Sequence, residues 1–213
     1  MPAPQQLTPV EARVLGVLVE KEATVPDTYP LSLNALLSGC NQKTAREPVM
    51  TLNEPEILEA LDSLRGYSLV IESSGSRVTR YSHNLGRVYG LPTPAVALIT
   101  LLMLRGPQTA AELRANCERL YRFADTSSVE AFLEELATRA AGALTVLLPR
   151  APGARESRWA HLLCGTPELP ASSTATRNNQ PELSEEVDEL RSEVDRLREE
   201  VAALRAELRA LMD

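Results

Sequence analysis

Apolar residues recur along this chain at helical spacing in two matched series. Val10, Val14, Val17 and Leu18 mark one face of a helix over residues 7–22. Thr8 stands before it as an N-cap, and Pro9 takes the first helical position, where a missing N–H is best tolerated. Residues 92–105 repeat the device with Thr93-Pro94, then Ile99, Leu102 and Met103. A second helix follows in each half, over Ser32–Leu37 and over Thr109–Cys117, which sets Cys40 and Cys117 at equivalent places. A third carries Ile57, Ala60, Leu61 and Leu64 in the first half and Val129, Phe132, Leu133 and Leu136 in the second. Each half closes in a hairpin: Ser68–Ser73 with Val78–Leu85, and Leu144–Leu148 with Ser157–Leu163. Three helices and a hairpin, written twice, predict a mainly α chain with small β-hairpins in two tandem winged-helix domains, 7–90 and 91–164.

Residues 165–181 are rich in Ser, Thr, Asn and Pro and read as a flexible linker. Beyond them Leu183, Leu190, Leu197, Leu204 and Leu211 recur every seven residues, with Val187, Val194, Val201 and Leu208 between. Valine at a with leucine at d predicts a parallel two-stranded coiled coil over 182–213. Glu186, Glu193 and Glu200 then face Arg191, Arg198 and Arg205 of a second copy, so a homodimer is the expected state. The alternative is that the tail folds back on its own body.

Charge sharpens this division. The formal net charge is −7, and residues 182–213 hold most of it, leaving the remainder nearly neutral. Of 22 basic residues only Lys21 and Lys43 are lysine. The start of the chain shows no signal peptide, and the longest apolar run, Ala95 to Leu104, is too short to span a bilayer. Cys40, Cys117 and Cys164 are scattered and read as reduced core thiols. A cytoplasmic protein without a membrane segment is expected.

Several stretches are distinctive. They include Glu11-Ala12-Arg13-Val14-Leu15-Gly16, Tyr29-Pro30-Leu31-Ser32-Leu33-Asn34, Cys40-Asn41-Gln42-Lys43-Thr44 and Arg46-Glu47-Pro48-Val49-Met50. Ala97 to Leu102, Arg105-Gly106, Gln108-Thr109 and Arg155-Glu156-Ser157-Arg158 extend the set. Over about residues 7–164 they resemble the YceH-like family of bacterial proteins. That resemblance implies a cytoplasmic protein with two winged-helix modules and carries no activity with it.

One phrase appears twice: Gly-Ser-Arg-Val-Thr-Arg-Tyr-Ser-His at 75–83 and Gly-Ala-Arg-Glu-Ser-Arg-Trp-Ala-His at 153–161. Strand alternation puts Tyr81 and His83, or Trp159 and His161, on an inner face, each histidine partly buried and hydrogen-bonded. Neither histidine has the companions a metal site needs, so no metal or other cofactor is expected. The arginines suit phosphates: Arg77, Arg80 and Arg87 at the first wing, and Arg150, Arg155 and Arg158 at the second. Lys43 and Arg46 join them as a contact loop; its competing role is structural, with an Arg46–Glu47 pair pinning it. The third helices argue against base reading, since 53–65 and 125–139 each carry a net of −3. The chain therefore reads as a DNA-associated regulator that contacts nucleic acid through its wings. A protein-interaction scaffold is the alternative. No catalytic residues are expected; Cys40 paired with a histidine in space is the only enzymatic arrangement left open.

Overall fold

The computed structural model describes residues 5–73, 78–167 and 196. The chain divides into two compact units, Met1–Leu169 and Pro170–Asp213, and the first contains all of the described residues except Arg196. The coiled-coil seam (Leu183, Val187, Leu190, Val194, Leu197, Val201, Leu204, Leu208, Leu211) and the wing residue Arg77 lie outside the described residues.

Helix α1 (Pro9–Thr24) begins in a capping box: Thr8 Oγ1 accepts from the Glu11 amide at 3.2 Å, and the Glu11 carboxylate accepts from the Thr8 amide at 2.7 Å. The first half continues with β1 (Leu31–Ser32), α2 (Leu33–Cys40), α3 (Glu54–Gly66), β2 (Val70–Ser73), β3 (Arg80–His83) and α4 (Leu85–Tyr89). The second contains α5 (Thr93–Arg105), α6 (Ala110–Cys117), α7 (Thr126–Ala137), β4 (Thr145–Leu147) and β5 (Trp159–His161). The described residues are thus mainly helical, with small antiparallel sheets, and the expected order of elements recurs in both halves. Pro92, not Thr93, is the N-cap of α5, and it supplies no side-chain bond.

Each hairpin has a third member that the pattern did not announce. Strand β1 pairs with β3, Leu31 opposite Tyr81, so the first sheet runs β1-β3-β2. At the matching place Gln108 exchanges two backbone hydrogen bonds with Trp159, at 3.0 and 2.7 Å. The duplication therefore extends to this bridge.

The halves share one core. Helix α1 is buried continuously from Glu11 to Val19, and α5 from Pro94 to Leu104. A helix hidden all round has packing on every side. Here α1 and α5 lie against each other at the centre, each covered on its outer side by its own half. Gly16 permits the approach, because a Cβ there would meet Leu104 Cδ2 at 3.0 Å. The main cluster joins Val14, Leu18, Leu36 and Leu64 to Ile99, Leu104, Leu136 and Leu163.

Candidate nucleic-acid interface

Two arginines of the repeated phrase, Arg80 and Arg158, bond to their own chain. Arg80, at the start of β3, donates from Nη1 to the Pro30 carbonyl at 2.7 Å and to that of Thr28 at 3.4 Å. Arg158, just before β5, donates from Nη1 to the Pro107 carbonyl and from Nη2 to Glu112, both at 2.8 Å. Pro30 and Pro107 hold equivalent places ahead of α2 and α6. Both arginines thus latch a hairpin to the segment entering the second helix. The donors used here serve carbonyls and a carboxylate of the same chain, while Arg80 stays exposed and the Arg158 side chain is 49% exposed.

Arg46 is engaged more completely. Its side chain is fully buried, and it holds Glu20 through both terminal nitrogens, at 3.0 and 2.5 Å. Further bonds reach the carbonyls of Gly39 and Ala45 and the side chain of Gln42. Glu20, not Glu47, is the partner, and no donor faces solvent for a phosphate. Arg13, which carried no role in the sequence reading, does similar work on α1. Only 1% exposed, it bonds the carbonyls of Cys40 at 3.1 Å and Pro48 at 2.6 Å. Its position was legible: it lies on the same helical face as Val10 and Val17. Asn41 completes the loop by exchanging two side-chain bonds with the backbone of Leu52, at 2.8 and 2.7 Å. The polar segment 41–53 is thereby fastened to α1 and α2.

Four of the expected contacts stay available. Lys43, Arg87, Arg150 and Arg155 are exposed, and no ion pair or hydrogen bond engages their side chains among the described residues. The third helices face water with their acids: Glu54, Glu56, Glu59 and Asp62 on α3, and Glu130, Glu134 and Glu135 on α7, are all exposed. The arginines nearest these faces, Arg65 on α3 and Arg139 just beyond α7, are occupied. Arg65 pairs with Asp62 at 2.9 Å and with Glu72, and Arg139 donates to the Tyr89 carbonyl at 2.5 Å.

The two histidines differ. His83 Nδ1 accepts from the Leu85 amide at 3.3 Å, which leaves Nε2 to donate to Glu22 at 2.7 Å. His161 departs from the expectation of a hydrogen-bonded ring, because its buried Nδ1 has no partner. Burial alone pushes that imidazole down to about 4, so it is neutral at pH 7. Among the described residues no three His, Cys, Asp or Glu side chains converge as metal ligands would. Cys40 has no exposed surface, and burial pushes its thiol up to about 12; the thiolate a nucleophile requires does not form there. No described helix is long and apolar enough to cross a membrane.

A feature absent from the sequence reading is a polar cleft of about 360 Å3 where the two halves meet. Loop residues Arg46 and Glu47 border it from one half; Arg105, Gln108, Glu112, Asn116 and Arg158 border it from the other. Asn116 accepts from Arg105 Nη1 at 3.0 Å and donates to Gln108 at 2.8 Å, and Gln108 in turn donates to the Leu101 carbonyl at 3.2 Å. The stretches that carried the family resemblance, around 46–47, 105–108 and 158, come together here. Their separation along the chain hid this from a linear reading.

Relatives agree with the resemblance. A family model described as a protein of unknown function, DUF480, matches residues 7–155. The UPF0502 protein of Leptothrix cholodnii is 64% identical over 176 residues, covering 83% of this chain and 79% of its own. That of Burkholderia ambifaria is 67% identical over 168 residues, covering 78% and 71%. That of Burkholderia multivorans is 69% identical over 161 residues, covering 76% and 68%. With a family model matching most of its length and relatives this close, the chain belongs to the DUF480, or UPF0502, family of bacterial proteins.

Proposed function

We propose that this chain is a binding module of two winged-helix units, paired by its C-terminal coil, and that its third helices dock a basic segment of a partner protein. One observation carries the reading: the helix that would enter a DNA groove is acid-faced in both halves, Arg65 on α3 is tied internally, and α7 has no basic residue at all. Phosphates are repelled by such a face, whereas a lysine- or arginine-rich peptide is attracted. Leu58 on α3 and Ile71 on β2, exposed by 39% and 46%, add apolar contact beside those acids.

A second reading keeps nucleic acid as the ligand, favoured by the unengaged Lys43, Arg87, Arg150 and Arg155. Four such cations covering four phosphates give a log–log salt slope of roughly −3 to −4. The test is capture from lysate with and without nuclease, using wild type, Glu56→Lys/Glu59→Lys and Arg87→Ala/Arg150→Ala/Arg155→Ala. The docking reading expects a protein partner that survives nuclease and is lost only with the lysine variant. Capture abolished by nuclease, together with low-salt DNA retention that fails in the alanine variant, replaces it with the second reading.

A further inference from the structure

The polar cleft between the halves is lined by an arginine and a glutamate that form no ion pair with the described residues, although Arg13 attracts Glu47 through space. Arg105 uses Nη1 on Asn116 and leaves Nε and Nη2 without a protein partner among the described residues. The Glu47 carboxylate makes no hydrogen bond or ion pair among the described residues. The two line the same cleft and do not bridge each other. Arg105 is held at its side chain by Asn116, and Glu47 at its backbone. The Glu47 amide donates to the Leu104 carbonyl at 2.8 Å, which fixes the loop beside the residue preceding Arg105. Arg13 anchors the next loop residue through the Pro48 carbonyl at 2.6 Å. Opposite, Arg158 and Glu112 pair at 2.8 Å, and Asn116 and Gln108 are locked together at 2.8 Å. The cleft therefore offers one open cation and one open anion on an anchored backbone.

We propose that this cleft binds a small zwitterion of the α-amino-acid class, its carboxylate on Arg105 and its ammonium on Glu47. Charge balance selects that class. Arg105 and Arg158 are matched by Glu47 and Glu112, and Arg46 is neutralised by Glu20. An anion alone leaves Glu47 repelling it, and a cation alone meets Arg105. A dipolar ligand satisfies both ends, and Arg105 offers a planar fork suited to a carboxylate. The volume, about 360 Å3, fits a small polar molecule. This inference is independent of the docking reading, which concerns the outer faces of α3 and α7.

The test uses the full-length chain, each free L-amino acid as probe, and titration calorimetry supported by ligand-observed NMR. For whichever amino acid binds, the N-acetyl derivative and the carboxamide serve as capped controls. Binding of at least one free amino acid is expected, with affinity falling roughly tenfold or more on capping either end. Glu47→Gln, at an exposed position, should weaken it comparably. Arg105→Lys, which keeps the charge and loses the fork, should weaken it while circular dichroism stays native. The proposal is overturned if no free amino acid binds, if either capped form binds as well as the parent, or if Glu47→Gln leaves the affinity unchanged.

Discussion

Replacing Arg46 with methionine removes the guanidinium that fastens the 41–53 loop, and its cost can be worked from the hydrogen bonds and the ion pair that this guanidinium makes. Glu20 is only 15% exposed and keeps its burial in the variant, while both of its bonds to Arg46, at 3.0 and 2.5 Å, disappear. The carbonyls of Gly39 and Ala45 lose a donor as well. Removing one partner of a buried pair costs about 3–5 kcal/mol. With a urea m-value near ~2 kcal/mol/M for a body of this size, the unfolding midpoint should fall by roughly 1.5–2.5 M. Acidification supplies an independent check. In the native protein burial pushes Glu20 up, but the Arg46 hydrogen bonds outweigh it and hold the carboxyl below its ordinary 4.5. The pair's contribution is therefore present above that ordinary value and is lost as pH falls through the depressed folded one. In the variant burial, the largest influence, is opposed only by Lys21 at 3.4 Å, so the same carboxyl moves up from its depressed value and its charge is penalised at pH 7. Protonation relieves that penalty, and the gap between variant and wild type should close as the pH drops toward 4. Adding Glu20→Leu to the variant should recover most of the loss, because an apolar pair of similar volume replaces a buried ion pair at little cost. A loss under about 1 kcal/mol at pH 7, or one that stays constant on acidification, would refute this account.

Two glycines give opposite expectations in urea unfolding. A Cβ on Gly39 would lie 2.7 Å from Val17 Cγ1, so Gly39→Ala should cost about 1–3 kcal/mol through overpacking of α1 on α2. Gly66 has open space around it at the end of α3, and Gly66→Ala should gain about 0.5–1 kcal/mol; the reverse order of midpoints contradicts the packing described. His161 should titrate in NMR with a midpoint near 4, well below its ordinary 6.5. Between those values the unfolded chain binds a proton that the native state refuses. Stability should therefore fall from pH 6.5 toward 4 by up to about 3 kcal/mol, and His161→Asn should flatten that slope. A midpoint near 6.5 contradicts the burial.

The order of elements was legible because each helix carries its own local signals. Thr8-Pro9 with Glu11, Asn53 with Glu56 and Thr109 with Glu112 form capping boxes, and such signals act over three residues. What escaped depends on distance along the chain. Arginine reads as a surface residue by composition; the helical face of Arg13 pointed inward, but only the three-dimensional placement of Gly39 and Glu20 shows that Arg46 is interior. Likewise Val10, Val14 and Val17 predict one buried face, whereas α1 is buried all round because α5 covers the other. A periodicity argument sees a helix and its own core, and a second helix from another half lies beyond it. The cleft rests on the same kind of information, since Glu47 and Arg105 come to line it through contacts between distant segments, among them the bond from the Glu47 amide to the Leu104 carbonyl.

The twice-written phrase now has a physical explanation. Tyr81 and Trp159 are core residues, 8% and 7% exposed, and each faces a backbone bridge, to Leu31 and to Gln108. The arginine just before each reaches the proline carbonyl beside that bridge, at 2.7 and 2.8 Å. Aromatic and arginine thus form one device that closes a hairpin onto the entry to the second helix, and both halves need it. The histidine two residues on is under no such constraint. In the first half α1 runs to Thr24 and brings Glu22 within 2.7 Å of His83. In the second half α5 is shorter. Counted from the N-cap, the place of Glu22 falls on Gly106, the C-cap, so no carboxylate can stand there. A difference in helix length thus leaves His161 without the carboxylate that faces His83 Nε2, and burial alone acts on its ring. Its Nδ1 also lacks the amide donor that His83 Nδ1 has in Leu85.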